Sequence, residues 1–401
     1  VPAAAAAAPA AAARALGGEG GRVWHEMRAA EVVEALRAGE VASIDLIAAA
    51  RSRILKTDDA LNAVPIRCFD RAEKRAREID RARDGDAGGS GSEGCEGAKR
   101  GPVTPGYLHG LPVLIKDTIA VKGVRFTCGS KLYEDFIAEE SDPIVTMLEK
   151  NGAVVVGKTN APELGLGSNT YNDVFGETLN PFRTDLTSGG SSGGSASALA
   201  SGQAWLALGT DLGGSLRIPA SFCSVVGLRP TPGLAQPMDG PWEDLHALAG
   251  PMARNVGDLA LFLDAMVPRK TSPSSSSYVE CLSRFEERMP KKVAWSADLG
   301  GIVPVVPEVR EICAKAARWF GLQPETGASQ ASVVVEDACM DLSQGRKVFH
   351  VLRANKFKDH KWMLKHKDVI KPELVWQIEQ GLRLTQRDLE EARRDHSAIL
   401  R

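Results

Sequence analysis

The segment SGGSSGGSASALASGQAWLALGTDLGGSLR, residues 188–217, contains the strongest fold signal in the chain. Its first half concentrates serine and glycine ahead of small residues that predict a helix, and such a backbone approaches a ligand closely. An apolar strand is predicted at Ala204–Leu208, and a second glycine-rich turn then places Ser215 directly behind two glycines. Consecutive N–H groups in such a turn bind anions, so the segment predicts a strand that presents a serine beside an oxyanion site.

Short apolar strands and helices alternate on both sides of this segment. Val113–Ile115 and Ala153–Val156 are predicted to be buried strands. Asp142 followed by Pro143 predicts the start of a helix, and residues 255–267 form an amphipathic helical pattern. This alternation predicts an α/β fold built on a sheet.

Helices are also predicted nearer the start of the chain. An apolar helical pattern from Val32 to Leu36 stops at Gly39, which predicts a helix end there. Ser43 is predicted to cap the following helix, and residues 69–83 predict an exposed, charged helix.

Two segments are unlike the rest in composition. Residues 1–22 are almost entirely Ala, Pro, Gly and Arg, which favours a disordered low-complexity leader over an organelle transit remnant, since serine is absent. Residues 84–106 are rich in glycine and serine and predict a mobile loop. The sequence therefore predicts a single domain over residues 23–401.

Charge and cysteine usage exclude several classes of protein. The 401 residues include 49 Lys and Arg against 51 Asp and Glu, a formal net charge of −2 that gives no reason to expect nucleic acid or an anionic membrane as a partner. No apolar run approaches the roughly 18 residues of a membrane helix. The seven cysteines are scattered without C-x-x-C spacing, which favours a reducing compartment. We expect no metal or organic cofactor, and a cytoplasmic location, or a plastid or mitochondrion if the leader is a transit remnant.

Two familiar motifs occur in unsuitable contexts. GAVVVGKT (152–159) matches a phosphate-binding loop, but its three valines predict a strand between the glycines, and Pro162 follows at once. GSSGG (190–194) matches a nucleophile elbow centred on Ser192, but the polar residues before it do not predict the required strand. Nothing marks His246 or His350 as a base for that serine. The first motif is interpreted as a strand and its exit turn, and the second is not interpreted as a nucleophile elbow.

Lys116 is the unusual residue of the predicted sheet, because it ends the apolar run Leu111–Ile115. A lysine buried enough to be neutral near pH 7 could serve as a base for Ser215, which has no histidine nearby in the sequence. The alternative is a lysine at a strand end whose amine reaches water. His109, in the turn before this strand, is interpreted as structural.

Four blocks together resemble the amidase signature family: GLPVLIKD (110–117), GAVVVGKTNAPELG (152–165), NPFRTDLTSGGSSGGSA (180–196) and GTDLGGSLRIPASFCSVVGLRPT (209–231). The resemblance extends from about residue 26 to the C-terminus. It implies a central mixed sheet flanked by helices. It also implies a catalytic set of a lysine and two serines, in which Ser215 is the nucleophile, Ser191 is the bridging serine after a cis peptide, and Lys116 is the base.

The resemblance implies further roles at the two loops. The N–H groups expected to bind the oxyanion belong to Leu212, Gly213 and Gly214, together with that of Ser215. The residues expected to join the two loops by hydrogen bonds are Ser192, Asp211 and Arg217. For the Asp211–Arg217 pair, an ordinary surface ion pair stays open as an alternative.

The implied reaction is hydrolysis of a carboxylic acid amide to an acid plus ammonia or an amine through a serine acyl-enzyme, with a small-molecule amide as substrate. Residues 241–264 favour the free-standing amidases. The alternatives are the glutaminase (A) subunit of the tRNA-dependent amidotransferase, and a catalytically dead fragment or binding protein of the same fold. Family members continue beyond residues 374–400, so the resemblance predicts a C-terminally truncated domain that lacks its last strands. A homodimer stays open.

Overall fold

The computed structural model describes residues 23–85, 105–235, 244–268, 276–285, 289–321, 333–338 and 340–401. The predicted leader at 1–22 and nearly all of the predicted loop at 84–106 lie outside these ranges. The described residues fall into two compact units, the first within 1–239, 246–280 and 366–374, and the second within 240–245, 281–365 and 375–401. The single-domain expectation stays a prediction.

A mixed six-stranded sheet forms the centre of the first unit. The strands described in this unit are β1 (Ile66–Arg67), β2 (Pro112–Lys116), β3 (Val154–Thr159), β4 (Tyr171–Asn172), β5 (Gly176–Glu177), β6 (Leu206–Asp211), β7 (Val226–Gly227) and β8 (Leu248–Ala253). The main sheet has the order β1-β3-β2-β6-β8-β7, while β4 and β5 form a separate pair. β2 runs parallel to both β3 and β6, and the other pairs are antiparallel. This confirms the predicted mixed sheet.

Helices flank the sheet. Those that begin in the first unit are α1 (Ala29–Ala38), α2 (Ser43–Leu61), α3 (Phe69–Asp84), α4 (Pro143–Lys150), α5 (Gly193–Ala200), α6 (Arg217–Phe222), α7 (Val256–Met266) and α8 (Tyr278–Ser283). Single 3₁₀ turns occur at Trp24–Glu26, Lys131–Tyr133 and Glu163–Gly165. The side chains of the central strands alternate between two apolar clusters, with Val113 and Ile115 in one and Leu114 in the other.

The predicted helix ends are partly confirmed. Gly39 ends α1 in the left-handed conformation with φ 74°, and the Asp142 carboxylate accepts the Ile144 N–H at 3.0 Å to begin α4. The prediction that Ser43 caps α2 is wrong. Ser43 is the first residue of the helix, and the Asp80 carboxylate from α3 accepts its N–H at 2.8 Å.

Neither familiar motif has the local structure that its pattern requires, as the sequence predicts. In GAVVVGKT, the second glycine, Lys158 and Thr159 all lie inside β3, so this segment is a strand and not a loop that starts a helix. In GSSGG, Ser192 directly precedes α5, and the chain before it forms turns with one isolated bridge between Leu179 and Thr187.

The second unit contains a parallel pair of strands, β9 (Lys292–Trp295) and β10 (Val334–Asp337). Its helices are α9 (Pro307–Trp319), α10 (Gly345–Phe357), the 3₁₀ segment Lys358–His366, α11 (Pro372–Arg383), which begins in the first unit, and α12 (Gln386–Leu400). Val348 and Leu352 of α10 pack with Ala392 of α12 in a small apolar cluster. Among the described helices, none is long and apolar enough to span a membrane.

Candidate active site

Lys116 lies at the carboxyl end of β2, between the parallel strands β3 and β6, and is fully buried. Its Nζ lies 2.6 Å from Ser191 Oγ, 3.0 Å from Ser192 Oγ and 2.9 Å from Thr210 Oγ1. The carboxyl ends of parallel strands meet at one edge of a sheet, where loops converge. The lysine therefore does not reach water, and the strand-end alternative is wrong.

The three contacts of the Lys116 amine fit both of its protonation states. An ammonium would donate to all three hydroxyls. A neutral amine has two N–H groups and one lone pair, so it donates twice and accepts once. The Ser192 hydroxyl donates its hydrogen to the Thr210 carbonyl at 3.3 Å, so it cannot also donate to the Lys116 lone pair. The Ser191 hydroxyl, which makes the shortest of the three contacts, is then free to donate to the lone pair.

Burial governs the protonation of this amine. Desolvation lowers the pKa of Lys116 to about 7, while the negative charge of Asp211 acts in the opposite direction. A lysine with this pKa is about half deprotonated at neutral pH, so it can accept a proton there. This is the property required of a general base.

Ser191 and Ser192 occupy the loop that leads into α5. The Gly190–Ser191 peptide bond is cis, as the resemblance implies. Both serine side chains are buried, and the Ser192 hydroxyl also lies 3.3 Å from the Thr210 N–H. The loop therefore directs two adjacent hydroxyls toward one amine.

Ser215 lies in the turn between β6 and α6 and is partly exposed. The Ser192 N–H donates to the Ser215 carbonyl at 3.1 Å, which joins the two serine loops through their backbones. Within the described residues, no hydrogen bond links the Ser191 and Ser215 hydroxyls. The structure thus brings Lys116 and Ser191 into direct contact and places Ser215 on the neighbouring loop.

Asp211 shapes the turn that carries Ser215. Its buried carboxylate accepts the N–H groups of Gly214 at 2.8 Å and Leu216 at 3.0 Å. It also accepts two guanidinium N–H groups of Arg217, each at 3.1 Å. Hydrogen bonds from Arg217 and the backbone hold the pKa of Asp211 below its usual range, although desolvation opposes them. The pair is therefore not an ordinary surface ion pair, because its carboxylate is buried and organises the turn.

These contacts correct one predicted oxyanion donor. Because the Gly214 N–H already donates to Asp211, it is not available to an oxyanion in this structure. Leu212, Gly213 and Ser215 retain their places as candidate donors. Gly214 has φ 111°, a conformation that glycine adopts readily, so its role lies in the shape of the turn.

Sequence reasoning missed three residues near Lys116. Thr210, at the end of β6, supplies the third hydroxyl around Lys116. Gly165 has φ 69°, and a Cβ built on it would lie 3.6 Å from Ser191 Oγ, so this turn approaches the serine closely. The Cys128 thiol interacts electrostatically with Lys116, and burial raises its pKa to about 12. The pairing of Thr210 with Lys116 depends on the register of β2 and β6, which the sequence does not reveal.

No group of three or more His, Cys, Asp and Glu side chains that could hold a metal ion occurs among the residues that the structure describes. Every cysteine in those ranges is a free thiol: Cys68, Cys128, Cys223, Cys281 and Cys313.

A model of a known family matches most of the chain. The family model described as Amidase matches residues 45–400. The chain belongs to the amidase family. Enzymes of this family are C–N hydrolases or amidotransferases, and the mixed sheet flanked by helices is the amidase signature fold.

Curated relatives of this chain include the glutamyl-tRNA(Gln) amidotransferase A subunit from Natranaerobius thermophilus, 38% identical over 262 residues, which cover 64% of this chain and 49% of the relative. The same subunit from Rubrobacter xylanophilus is 37% identical over 308 residues, which cover 73% of this chain and 58% of the relative. The chain thus spans about half the length of the curated relatives it matches. The expected truncation stays a prediction.

Solved structures also resemble this chain. A bacterial aryl acylamidase of the amidase signature family superposes with a TM-score of 0.75 at 25% identity, covering 92% of this chain and 76% of that one. A second structure is described as a vestigial complex that reveals the origins of an s-triazine catabolic enzyme. It superposes with a TM-score of 0.74 at 31% identity, covering 93% of this chain and 77% of that one. The solved structures of this fold therefore include a protein described as an aryl acylamidase and a complex linked to an s-triazine catabolic enzyme.

Proposed function

We propose that this chain hydrolyses small carboxylic acid amides through an acyl-enzyme on Ser215, with Lys116 as the base and Ser191 as the bridging serine. The observation that carries the proposal is the short contact between a fully buried lysine, whose pKa is about 7, and Ser191 Oγ at 2.6 Å. A hydroxyl beside a neutral amine is poised to pass a proton.

In the acylation step, two protons move along the relay before the amide is attacked. The Lys116 lone pair takes the Ser191 hydroxyl proton, and Ser191 Oγ takes the proton of Ser215. The Ser215 oxygen bonds to the amide carbon, and the carbonyl electron pair moves to oxygen. When this intermediate collapses, the C–N bond breaks, and Ser191 gives its proton to the leaving nitrogen and is reprotonated by Lys116. Water then cleaves the acyl-enzyme by the same relay.

Two features of the turn support this mechanism. The N–H groups of Leu212, Gly213 and Ser215 are candidates to bind the oxyanion, a type of interaction that often supplies the largest catalytic effect. The mechanism also requires a hydrogen bond between the Ser191 and Ser215 hydroxyls once substrate is bound. Catalytic hydrogen bonds commonly tighten only in the substrate complex.

A second candidate function concerns the substrate. The curated relatives at 36–46% identity in these comparisons carry the name of the A subunit of the amidotransferase. This favours glutamine as the amide, with the ammonia passed to a partner protein. The free-standing amidase proposal is supported by the aryl acylamidase likeness and by residues 241–264, which resemble the free-standing branch of the family. Both candidate functions use the same three residues, Lys116, Ser191 and Ser215.

Covalent labelling tests the shared chemistry. A fluorophosphonate reagent transfers its phosphonyl group to an activated serine and releases fluoride. We expect mass spectrometry to find the adduct on Ser215, and Ser215→Ala to abolish both labelling and amide turnover. Ser221→Ala is the matched control, since this exposed serine lies on the helix that follows Ser215 and donates to the Ile218 carbonyl. A Ser215→Ala variant that still releases ammonia from amides would refute the proposal.

A substrate panel separates the two candidates. Ammonia release is measured from glutamine and from aliphatic primary amides, and aniline release from anilides. Preference for anilides or aliphatic amides supports the free-standing amidase, whereas turnover confined to glutamine supports the amidotransferase role.

Tight binding of ATP with Mg²⁺ at Lys158 would contradict the strand interpretation of GAVVVGKT.

A further inference from the structure

The helix α9 (Pro307–Trp319) exposes its large apolar side chains to solvent. None of its residues is buried, and the exposed fraction is 48% at Val309, 67% at Ile312 and 58% at Trp319. Exposed apolar side chains that adjoin one another mark interaction sites. The helix therefore presents an apolar surface that the described part of the chain leaves uncovered.

The exposed apolar residues lie along one side of α9, at intervals of three, four and three residues: Val309, Ile312, Ala316 and Trp319. At about 3.6 residues per turn, these positions form one narrow stripe. Ala314 and Ala317, which are partly buried, lie on the opposite side of the helix, and α9 packs on β9 of its own unit. Alternating intervals of three and four residues are the pattern by which one helix packs along another in a coiled coil.

The charged residues on one flank of this stripe change sign along the helix. Glu308 lies on that flank in the first half of α9, and Lys315 lies on it in the second half. In an antiparallel pair of α9 helices, the first half of one lies against the second half of the other, so each Glu308 faces a Lys315. Lys315 also lies 3.0 Å from Glu311 of its own helix, but an exposed pair of this kind contributes little. The flank is therefore complementary to a second copy of itself.

The other flank of the stripe carries Cys313, an exposed free thiol at the midpoint of α9. Two copies of one chain commonly associate about a twofold axis, through the same surface on each copy. In an antiparallel pair of this kind the two helix midpoints lie opposite each other. The two Cys313 thiols are then close together, which is a consequence that can be measured.

We propose that two copies of this chain associate through α9, with the two helices antiparallel about a twofold axis. Association removes the apolar stripe of both copies from water, which stabilises the pair. Two short helices bury less than the roughly 1,200–2,000 Å² of a stable interface, so we expect a dissociation constant in the micromolar range. The inference concerns assembly and does not depend on the proposed function.

Sedimentation velocity of the full chain over a concentration series measures the association. Val309→Asp places a charge in the stripe and should leave the chain monomeric, while the first turn of a helix accepts an aspartate. Val256→Asp is the matched control, because this valine is also exposed, at 53%, and lies in the first turn of α7. The control should dimerise like the wild type, and both variants should melt near the wild-type temperature.

Exchange of the flanking charges tests the antiparallel arrangement. Glu308→Lys and Lys315→Glu each place like charges opposite each other, so each should raise the dissociation constant by about three- to tenfold. The double variant restores opposite charges across the pair and should return the dissociation constant toward the wild-type value. A double variant that dimerises no better than either single variant would refute this arrangement.

Crosslinking tests the position of the twofold axis. A short bismaleimide should join Cys313 of one copy to Cys313 of the other, and mass spectrometry identifies the linked peptides. Because each chain has a single Cys313, this crosslink joins two copies. It should disappear in Val309→Asp and persist in Val256→Asp.

Two results would overturn the proposal. A chain that stays monomeric throughout the concentration series does not use α9 for self-association, and a Cys313 thiol that then resists maleimide would show that another part of the chain covers this face. A dimer that Val309→Asp leaves intact would show that association uses a different surface.

Discussion

The Lys116 side chain is fully buried, so its ammonium form loses the hydration that an exposed lysine keeps. Asp211 favours the ammonium form through its negative charge, but desolvation is the larger effect, and the pKa falls to about 7. An ordinary lysine, with a pKa of about 10.4, would be almost entirely protonated at neutral pH. Burial at the end of β2 therefore gives Lys116 the pKa that a general base at neutral pH requires.

The pH dependence of activity follows from this pKa. We expect kcat/KM to rise with pH and to reach half its plateau near pH 7, because only deprotonated Lys116 can accept the Ser191 proton. The measurement uses a neutral amide, which does not itself titrate, from about pH 5 to about pH 9. Lys116→Arg should be inactive throughout, since a guanidinium stays protonated. A profile that is flat across this range would contradict the assignment.

At the site, the sequence reveals the chemical groups but not all of their contacts. Lys116 ends a buried run, and Ser215 follows two glycines, so both are visible as anomalies in the sequence. Ser191 is identified only through the family resemblance. Thr210 carries no such signal, because its contact with Lys116 arises from the pairing of β2 with β6. The capture of the Gly214 N–H by Asp211 likewise depends on the folded shape of the turn.

Among the elements, α5 lies so close to neighbouring backbone that it requires glycine. A Cβ built on Gly194 would lie 2.4 Å from the Asn160 nitrogen and 2.7 Å from the Ala63 carbonyl oxygen. Real Cβ atoms do not approach backbone this closely, so a larger residue must displace β3 or the helix. The glycines of this segment therefore allow the serine loop to pack against the sheet edge that carries Lys116.

Gly194→Ala tests this packing. In an ordinary helix the substitution is favourable by about 1 kcal/mol, but here overpacking should cost about 1–3 kcal/mol and lower the melting temperature by several degrees. Gly345→Ala is the matched control, because this glycine lies in the first turn of α10 and a Cβ built on it would have nothing within 4 Å. The control should melt at or slightly above the wild-type temperature. Equal melting temperatures for both variants would refute the packing argument.

The elements that the sequence predicts best are those with local signals. Asp142 and Pro143 mark the start of α4, and Gly39 marks the end of α1, at the expected positions. The sequence does not predict β8, because this strand contains Gly250 and Pro251, residues that disfavour a strand. In the fold, a Cβ on Gly250 would lie 2.4 Å from the Leu228 carbonyl oxygen, so close approach of a neighbouring segment requires glycine there.

For the molecule as a whole, the first described residues are bound by residues far along the chain. The Trp205 indole N–H donates to the Trp24 carbonyl at 3.0 Å, and the Arg254 guanidinium donates to the Met27 carbonyl at 2.6 Å. The prediction that Ser43 caps its own helix failed for the same reason, since Asp80 supplies that cap from α3. Helix ends in this fold are often completed by distant residues, which local sequence patterns do not reveal.

Asp258 offers a test of these long-range contacts. Its buried carboxylate accepts the N–H groups of Ala29 at 2.9 Å and Ala30 at 3.0 Å, and so joins α7 to the start of α1. Asp258→Ala leaves both N–H donors without this partner. The free energy of unfolding, measured by urea denaturation, should therefore fall by about 2–4 kcal/mol. Hydrogen exchange in α1 should also accelerate. Glu31→Ala is the control, since this exposed carboxylate accepts the Arg28 N–H at the same helix end and should contribute at most about 1 kcal/mol. Equal losses in the two variants would show that burial of the Asp258 contacts adds nothing to stability.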